Sequence, residues 1–332
     1  MKLNKNINQK NSIFKNWLFI IIAILFVVLP FIINAYWVDV LFFFGIYALL
    51  GLSLNIVLGE VGLFDLGHMG FMAIGAYTTA ILNTAFGIPI IILLPISAIT
   101  AGAFAWLVCS PIIHLRGDYL CIVTIGMGEI IRLVLINNPF GITGGPNGVF
   151  GIDFLSFGGP LIIDSSIENY FVIWIIVGLA ILGLVNLQHS RIGRAWNYIR
   201  EDEVAAEATG IDVRFYKLLA FVLGAGLAGV AGNIYASKLM IVSPESFSFM
   251  ESCMLFCIVL IGGMGSIPGV LIGAAAISLF PEFFRTFAQY RMLIFGAAMV
   301  VMMIFRPGGI WPRKRGVVKL KSLLIKAGEE NG

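Results

Sequence analysis

The stretch Gly59-Glu60-Val61-Gly62-Leu63-Phe64-Asp65-Leu66-Gly67-His68-Met69-Gly70 separates two apolar runs, at 38–58 and at 69–86. Each run has about the 20 apolar residues that a helix needs to cross the bilayer core. The stretch between them holds four glycines, and glycine lets helices approach closely and lets a helix unwind. Unwound backbone is tolerated at membrane depth only where it meets protein or water. The sequence here predicts membrane-spanning helices with a glycine-broken segment between them.

The composition excludes an ordinary soluble domain. Of the 332 residues, 59% are hydrophobic and 12% are charged, and the mean hydropathy is +0.98. A soluble protein carries about a quarter charged residues. We therefore predict an all-α, polytopic integral membrane protein with about 8–10 transmembrane helices, in which the short run at 249–262 either is re-entrant or continues past its glycines. The apolar runs lie at 17–33, 38–58, 69–86, 88–109, 119–136, 170–187, 218–236, 249–262, 270–284 and 292–305.

The positive residues set the predicted orientation, because the cytoplasmic ends of spans are rich in Lys and Arg. Residues 1–16 hold four of them, 188–217 hold five and 306–332 hold seven, whereas 137–169 hold none. The sequence predicts a cytoplasmic N-terminal tail at 1–16, a transmembrane domain at 17–305 and a basic cytoplasmic tail at 306–332. Within the domain, the outer loop is expected at about 137–169 and a cytoplasmic coupling loop at about 188–217. Both termini then lie in the cytoplasm.

Ionisable residues flanked by spans are costly to place and are candidates for function. Glu60, Asp65 and His68 lie in the first glycine-rich stretch, and we predict that they line a transport pathway. A second stretch, Gly262-Gly263-Met264-Gly265-Ser266, makes Gly262 and Gly263 pathway candidates as well. Interrupted helices in the two halves of a transporter mark its pathway. For this second stretch, tight helix packing alone explains the glycines equally well.

Two further groups of polar residues are pathway candidates. Glu129 and Arg132 are three residues apart, so on a helix they share a face and can pair, unless Glu129 contacts the substrate directly. The outer loop contains Thr143-Gly144-Gly145-Pro146-Asn147-Gly148, in which Gly-Pro and Asn-Gly indicate turns. Thr143 and Asn147 are therefore candidates for an ordered cap of the pathway. An ordinary turn-rich loop has the same spacing.

The predicted cytoplasmic loop contains the signals of a short helix. Glu201, Asp202 and Glu203 precede a helix-favouring segment at 204–209, and Gly210 follows that segment. Acids at the start and glycine just past the end are typical of a capped helix with a stabilised dipole. The chain has no GxxxxGK[ST] phosphate-binding loop, so ATP hydrolysis is expected on another subunit, to which this helix could dock. The alternative is a solvated loop lying on the lipid headgroups.

Residue blocks in a fixed order connect the chain to a known family. The chain resembles the LivM-type permeases of branched-chain amino acid ABC transporters, from about Gly51 to Gly309. The matching blocks are Gly62-Leu63, Gly67-His68, Gly75-Ala76-Tyr77, Arg116-Gly117-Asp118-Tyr119, Gly128-Glu129-Ile130-Ile131-Arg132, Thr143-Gly144-Gly145-Pro146-Asn147-Gly148, Ser190-Arg191-Ile192-Gly193-Arg194-Ala195, Arg200-Glu201-Asp202-Glu203, Ala205-Ala206-Glu207-Ala208, Gly210-Ile211, Tyr216-Lys217-Leu218, Ser243-Pro244-Glu245-Ser246-Phe247, Gly262-Gly263-Met264-Gly265-Ser266 and Arg306-Pro307-Gly308-Gly309.

The resemblance implies a heteromeric importer in the bacterial cell membrane. The expected partners are a second, LivH-type permease, two cytoplasmic ABC ATPases, an extracytoplasmic binding protein that delivers Leu, Ile or Val, and membrane lipid, but no nucleic acid. The resemblance also implies that ATPase coupling involves Arg200, Glu203, Ala206, Glu207 and Gly210. The chain itself is then a transport subunit without enzymatic activity, cofactor or metal, and its partners bind the ATP.

The substrate is the most open of these expectations. Glu60 and Asp65 stand where the family more often has uncharged polar residues, and close relatives of the family carry urea, short amides or other amino acids. An amino-acid zwitterion suits a pathway in which a helix N-terminus meets its carboxylate and an acid such as Glu60 or Asp65 meets its ammonium. A membrane-embedded enzyme and a channel are the competing classes. The sequence shows no convergent catalytic groups for an enzyme, and a channel needs no docking helix.

Overall fold

The computed structural model describes residues 26, 28–115, 117–156, 162–163, 165–283 and 309–312, together with 293, 296–297, 300 and 304. Outside these residues lie the predicted tail at 1–16, most of the predicted spans at 17–33 and 292–305, and most of the tail at 306–332. The α-helices that the description contains are α1 (Ala35–Leu54), α2 (Met69–Phe86), α3 (Ile90–Ile112), α4 (Asp118–Asn137), α5 (Ser166–His189), α6 (Arg191–Glu201), α7 (Glu203–Ala208), α8 (Val213–Leu239), α9 (Phe249–Gly262) and α10 (Ile267–Phe283).

The predicted all-α fold is confirmed. Six helices of the described residues are long and apolar enough to cross a membrane: α1 with its extension to Val61, α2, α3, α4, α5 and α8. Two shorter apolar helices are α9 and α10. Two-residue strands form two antiparallel pairs: β1 (Val149–Phe150) pairs with β4 (Ile241–Val242), and β2 (Leu155–Ser156) pairs with β3 (Ile162–Ile163). The described part of the chain is therefore a bundle of membrane-spanning helices with small strand ladders in its loops.

α8 is the central helix of the bundle, and glycine allows its neighbours to approach it closely. A Cβ on Gly75 of α2 would overlap the backbone of Gly229, and one on Gly232 would overlap the carbonyl of Met72. In lipid, this close approach of backbones replaces the hydrophobic effect as the source of helix packing. About 61% of the most apolar part of α2 and α8 is buried, against 28% for α4 and α5. α2 and α8 therefore lie inside the bundle, whereas α4 and α5 present apolar side chains outward.

α9 and α10 form a short hairpin through the second glycine-rich stretch. A Cβ on Gly262 would overlap the carbonyl of Gly269 on the facing helix. Gly263 and Gly265 then turn the chain with φ angles of 118° and 82°, which glycine adopts without steric cost. These glycines therefore serve close helix packing and also end a helix, and a pathway role for Gly262 and Gly263 stays a prediction.

The helix termini gather at two opposite ends of the bundle. The strand end holds the β1–β4 ladder and the hydrogen bond from Asn83 Nδ2 to Asp153 Oδ2, at 3.0 Å. The coupling end holds α6 and α7, which link α5 to α8. Residues 309–312 also lie at the coupling end, since the backbone N–H of Trp311 donates to the Gly262 carbonyl at 3.1 Å. That the coupling end faces the cytoplasm stays a prediction from the positive residues.

The predicted loop at 188–217 is more helical than the sequence indicated. α6 precedes the expected short helix, and it buries Trp196 and Ile199 against the bundle. The Ser190 hydroxyl caps α6 by accepting a hydrogen bond from a backbone N–H at 3.1 Å. α8 begins five residues before the predicted span at 218, because Asp212 caps its first turn. α6 and the first turn of α8 contain many polar residues, so a hydropathy pattern does not indicate them. Capping side chains and, in α6, two buried apolar side chains stabilise them as helices.

Candidate functional site

The break after α1 starts as a widened helix. α1 continues into a π-helical segment, Asn55–Val61, in which every residue is buried. Single π-helical turns are rare and are frequently found at functional sites. The chain leaves this segment at Gly62 with a φ of 86°, a left-handed conformation that is cheap for glycine. Residues 62–68 then run as irregular backbone to α2. The predicted glycine-broken segment is therefore confirmed.

The two glycine-rich stretches meet at this π-helical segment. Asn55 Oδ1 accepts a hydrogen bond from the backbone N–H of Gly265 at 2.8 Å. Gly59 leaves room for this contact, because a Cβ there would overlap both the Asn55 oxygen and the Gly265 nitrogen. The amide oxygen thus satisfies a buried backbone donor in the turn between α9 and α10. An asparagine inside an apolar run is a signal by which Asn55 could have been found from the sequence.

Asp65 and His68 form a buried network with Ser53, and these three residues are 0%, 1% and 0% exposed. His68 Nδ1 lies 2.8 Å from Asp65 Oδ2, and His68 Nε2 lies 2.8 Å from Ser53 Oγ. Asp65 Oδ1 also accepts a hydrogen bond from the Gly67 N–H at 2.9 Å. Ser53 donates to the carbonyl of Leu50 at 2.7 Å. The network therefore ties the irregular backbone to the last turns of α1.

The Ser53 hydroxyl lies within hydrogen-bond distance of two polar atoms, the Leu50 carbonyl oxygen and His68 Nε2. The imidazole of His68 therefore bridges Ser53 and the Asp65 carboxyl through its two ring nitrogens. Because each of these buried polar groups has a partner inside the protein, the network can be sealed from water. Ser53 thus braces the backbone at the end of α1.

Glu60 faces the coupling end of the bundle. It is 1% exposed, and its Oε1 accepts a hydrogen bond from Gln188 Nε2 at 2.6 Å. Arg200 of α6 donates to the carbonyl of Gly59 next to it. The broken segment thus contacts Gln188 of α5 and Arg200 of α6 directly, and the sequence did not indicate the contact with Gln188. Because Glu60, Asp65 and His68 are all buried in this conformation, their contact with a substrate stays a prediction.

Glu129 and Arg132 form the ion pair that their spacing indicates. Arg132 Nη2 lies 2.6 Å from Glu129 Oε1, and Arg132 Nη1 lies 3.2 Å from Glu245 Oε1. The side chains of Glu129 and Glu245 are 38% and 74% exposed. The cluster joins α4 to the turn at Pro244–Phe247. Direct contact of Glu129 with a substrate stays a prediction.

The outer turn is ordered by Thr143. Its hydroxyl donates to the carbonyl of Leu135 at 2.8 Å, and its backbone N–H donates to Asn138 Oδ1, also at 2.8 Å. Thr143 is 5% exposed, whereas Asn147 is exposed. Thr143 therefore fixes the turn at the end of α4, and Asn147 presents its amide to the solvent. A capping role for this turn over a pathway stays a prediction.

α7 forms where the acids and the glycine indicate a helix. Asp202 Oδ1 accepts hydrogen bonds from two backbone N–H groups of the first turn, at 2.9 and 3.0 Å. Gly210 has a φ of 85°, and the Ile211 N–H bonds back to the Ala206 carbonyl at 3.3 Å. This is the pattern of a left-handed C-terminal cap. Ala206 is buried against the bundle and Glu207 is exposed, so α7 has one anchored face and one open face.

A buried ion pair joins α7 to α8. Lys217 is 2% exposed, and its Nζ lies 2.7 Å from Glu203 Oε1. A buried ammonium is costly unless it is paired, so the position of Glu203 relative to α8 is fixed. A parallel link comes from α6, where Trp196 Nε1 donates to the carbonyl of Tyr216 at 2.8 Å. A lysine that precedes an apolar run is the sequence signal from which such a pair could have been inferred.

Together these features define a class of protein. A bundle of apolar helices, a broken helix beside its central span and a capped helix presented at one end are the parts of a polytopic transport permease. The model of the branched-chain amino acid transport system permease component matches residues 36–304. The chain belongs to this family.

Curated relatives agree with this assignment. The high-affinity branched-chain amino acid transport system permease LivM of Escherichia coli strain K12 is 42% identical over 94% of this chain and 78% of the relative. LivM of Salmonella typhimurium is 41% identical over 88% of this chain and 74% of the relative. LivH of the same Salmonella strain is 28% identical over 80% of this chain and 91% of the relative. No solved structure gives a significant match.

Proposed function

We propose that this chain is the permease subunit of an ATP-driven importer and carries Leu, Ile and Val into a bacterial cell. The relatives named as branched-chain amino acid permeases support this substrate class. An extracytoplasmic binding protein delivers the amino acid, and a LivH-type permease completes the pathway. Two cytoplasmic ATPases bind and hydrolyse the ATP, so the chain carries no cofactor or catalytic centre of its own.

The observation that carries the proposal is the way α7 is presented. The helix is six residues long and capped at both ends, and Ala206 and Glu203 anchor one of its faces. The rest of its surface exposes the apolar Val204, at 61%, and the acidic Glu207. A short amphipathic helix of this kind fits a groove on a partner protein. Neither a channel nor a membrane-embedded enzyme needs such a helix.

Two sets of contacts transmit a movement of α6 and α7 to the membrane-spanning helices. The first is the Glu203–Lys217 pair, which moves α8 with α7. The second is Arg200 on the Gly59 carbonyl, which connects α6 to the π-helical segment. Asn55 of that segment holds the turn between α9 and α10. Coupling between distant sites needs a contiguous physical connection of this sort.

Transport follows from these contacts. ATP binding closes the two ATPases, and α7 moves with the ATPase to which it is docked. α8 and the π-helical segment move in turn, and the spans rock about the broken backbone between α1 and α2. Alternating access of this type opens a fixed substrate site first to one side and then to the other.

Competition for uptake tests the substrate class. The complete complex, with its binding protein, is reconstituted in vesicles, and the uptake of labelled leucine is measured with unlabelled competitors in excess. We expect isoleucine and valine to abolish the labelled uptake and urea and acetamide to leave it unchanged. Competition by urea or acetamide, or their direct uptake, would instead support an importer of short amides.

A further inference from the structure

A cavity of about 290 Å³ lies between α1, α2, α8 and α9, and none of the pathway candidates lines it. It extends from the strand end, at Ser246 and Glu251, to the first residues of α2, at Met69 and Met72. Small-molecule sites are concave and mostly apolar, with a few convergent polar groups, and begin at about 300 Å³. The cavity is therefore of the size that suits a free amino acid.

The polar groups of the cavity gather on one side. Tyr47 donates a hydrogen bond from its hydroxyl to Glu251 Oε2 at 3.1 Å. Tyr235 and Ser246 add two more hydroxyls to the lining. Glu251 has at least one further partner besides Tyr47, and because a carboxylate has about four acceptor positions, an ammonium can join them. The hydroxyls can donate to a carboxylate.

The remaining wall of the cavity is apolar. Phe43, Ile46 and Leu50 line it from α1, and Met69 and Met72 line it from α2. Unbranched methionine side chains adapt to irregular apolar shapes. A ligand with charged groups at one end and a branched hydrocarbon tail at the other therefore meets matching surfaces at both ends.

The floor of the cavity adjoins the broken segment. Leu50 contributes its side chain to the cavity, and its carbonyl accepts the Ser53 hydroxyl of the buried network. Met69 follows His68 of the same network directly in the chain. A movement of the irregular backbone at 62–68 thus displaces the floor, which is the change that release toward the coupling end requires.

We propose that this cavity is a binding site for an α-amino acid with a branched apolar side chain, in which Glu251 receives the ammonium and the hydroxyl of Tyr235 receives the carboxylate. The site rests on the proposed function and gives it a location. It assigns the recognition of the ammonium to Glu251 at the strand end, and it leaves Glu60 and Asp65 to the coupling end and to the buried network.

Protection of a single cysteine tests the site directly. Ser246→Cys is made in a chain whose four native cysteines are replaced, and the complete complex in nanodiscs reacts with a cationic thiol reagent. We expect leucine to slow the reaction, and urea and 4-methylpentanoate, which is leucine without its ammonium, to have no effect. Adding Glu251→Gln removes the protection, whereas Glu251→Asp, which keeps the charge, retains it. Glu168→Gln, an exposed acid at the same end, is the matched control and retains it too.

Uptake provides the second measurement. The loss of a hydrogen bond between charged groups predicts about a tenfold to hundredfold fall in leucine uptake for Glu251→Gln, and none for Glu168→Gln. No reaction at Ser246→Cys, equal protection by 4-methylpentanoate, or protection that survives Glu251→Gln would overturn the site. In those cases, leucine uptake by the wild-type complex would still uphold the proposed function. A wild-type complex that does not import leucine would overturn the proposed function itself.

Discussion

Gly59 shows how little space the broken segment leaves for a side chain. Its Cα faces the Asn55 amide oxygen and the Gly265 nitrogen, which hydrogen bond to each other. Overpacking a filled interior costs about 1–3 kcal/mol. We therefore expect Gly59→Ala to lower the thermal unfolding midpoint of the purified protein in detergent, and to lower leucine uptake with it.

Gly178→Ala is the control for that variant. Gly178 lies within α5, and a Cβ there would meet no atom within 4 Å. Alanine also has a higher helix propensity than glycine, so the unfolding midpoint of Gly178→Ala is expected to stay the same or rise slightly. A Gly59→Ala protein as stable as Gly178→Ala would contradict the packing that we describe.

Asp65 gives a prediction about the bracing role of its buried network. In Asp65→Asn, the side-chain amide keeps hydrogen-bonding groups within reach of His68 Nδ1 and of the Gly67 N–H. In Asp65→Leu, His68 loses its buried partner, at a cost of about 1–3 kcal/mol. Size-exclusion profiles should show normal assembly for Asp65→Asn and reduced assembly for Asp65→Leu. Equal profiles would show that the network does not brace the fold.

The residues that the sequence could reveal are those whose chemistry conflicts with their surroundings. Asp65 and His68 stood out as ionisable groups between apolar runs, and both proved to be buried. Their partner Ser53 did not stand out, because a serine in an apolar run is ordinary. Glu251 was overlooked for a different reason: only the packing of α9 against α1 brings it to Tyr47, and that contact spans 204 positions of the chain.

At the scale of single elements, the proposed coupling to the ATPases depends on α7. Gly210 has a left-handed conformation, although a Cβ there would meet no atom within 4 Å. Valine at this position therefore costs roughly 1 kcal/mol or more through the backbone alone. We expect Gly210→Val to misplace α7 and Glu207→Arg to reverse the charge of its exposed face. Both variants should reach the membrane at normal levels and lose stimulated ATP hydrolysis and uptake together.

Variants of the Glu203–Lys217 ion pair between α7 and α8 distinguish an effect on coupling from an effect on stability. Lys217→Met removes the buried ammonium and keeps a long apolar side chain, and it leaves Glu203, at 28% exposed, accessible to water. We expect this variant to fold and to bind the ATPases, but with less ATP hydrolysis for each binding-protein cycle. Glu203→Gln leaves the buried ammonium of Lys217 without its charged partner and should destabilise the protein more. Equal thermal midpoints for the two variants would contradict this order.

The bounds of the apolar helices could be predicted closely from the sequence, but the π-helical segment that follows α1 could not. The predicted runs at 69–86 and 249–262 have the same bounds as α2 and α9, because glycine or polar residues flank them. The π-helical segment Asn55–Val61 has the apolar pattern of an α-helix, so its extra width is decided by contacts to Gly265 and Arg200. Those contacts come from elements far along the chain, and no local pattern contains them.

At the scale of the whole molecule, the positive residues predict which end faces the cytoplasm. Phe150 is 60% exposed at the strand end, and Arg194 is exposed on α6 at the coupling end. Single cysteines at these positions, in a chain without the native four, should react with an impermeant reagent from opposite sides of the membrane. The cysteine at 150 should react in intact cells and the one at 194 only in inverted vesicles. The reverse result would invert the topology.

The arrangement of the whole bundle was only partly contained in the sequence. Hydropathy and charge indicate the spans and their orientation, because the bilayer acts on each span separately. They do not indicate that α8 is central, since that depends on Gly229 and Gly232 meeting α2. The cavity at Glu251 depends in the same way on four helices at once.

The most direct test of the account is whether leucine accumulates against its gradient at the expense of ATP. Vesicles that contain this permease, its LivH-type partner, both ATPases and the binding protein are loaded with leucine, and labelled leucine is added on the binding-protein side. We predict net accumulation that requires ATP on the coupling side and is lost in Gly210→Val. Leucine flux that runs only downhill and proceeds equally without ATP would contradict the account and identify a channel.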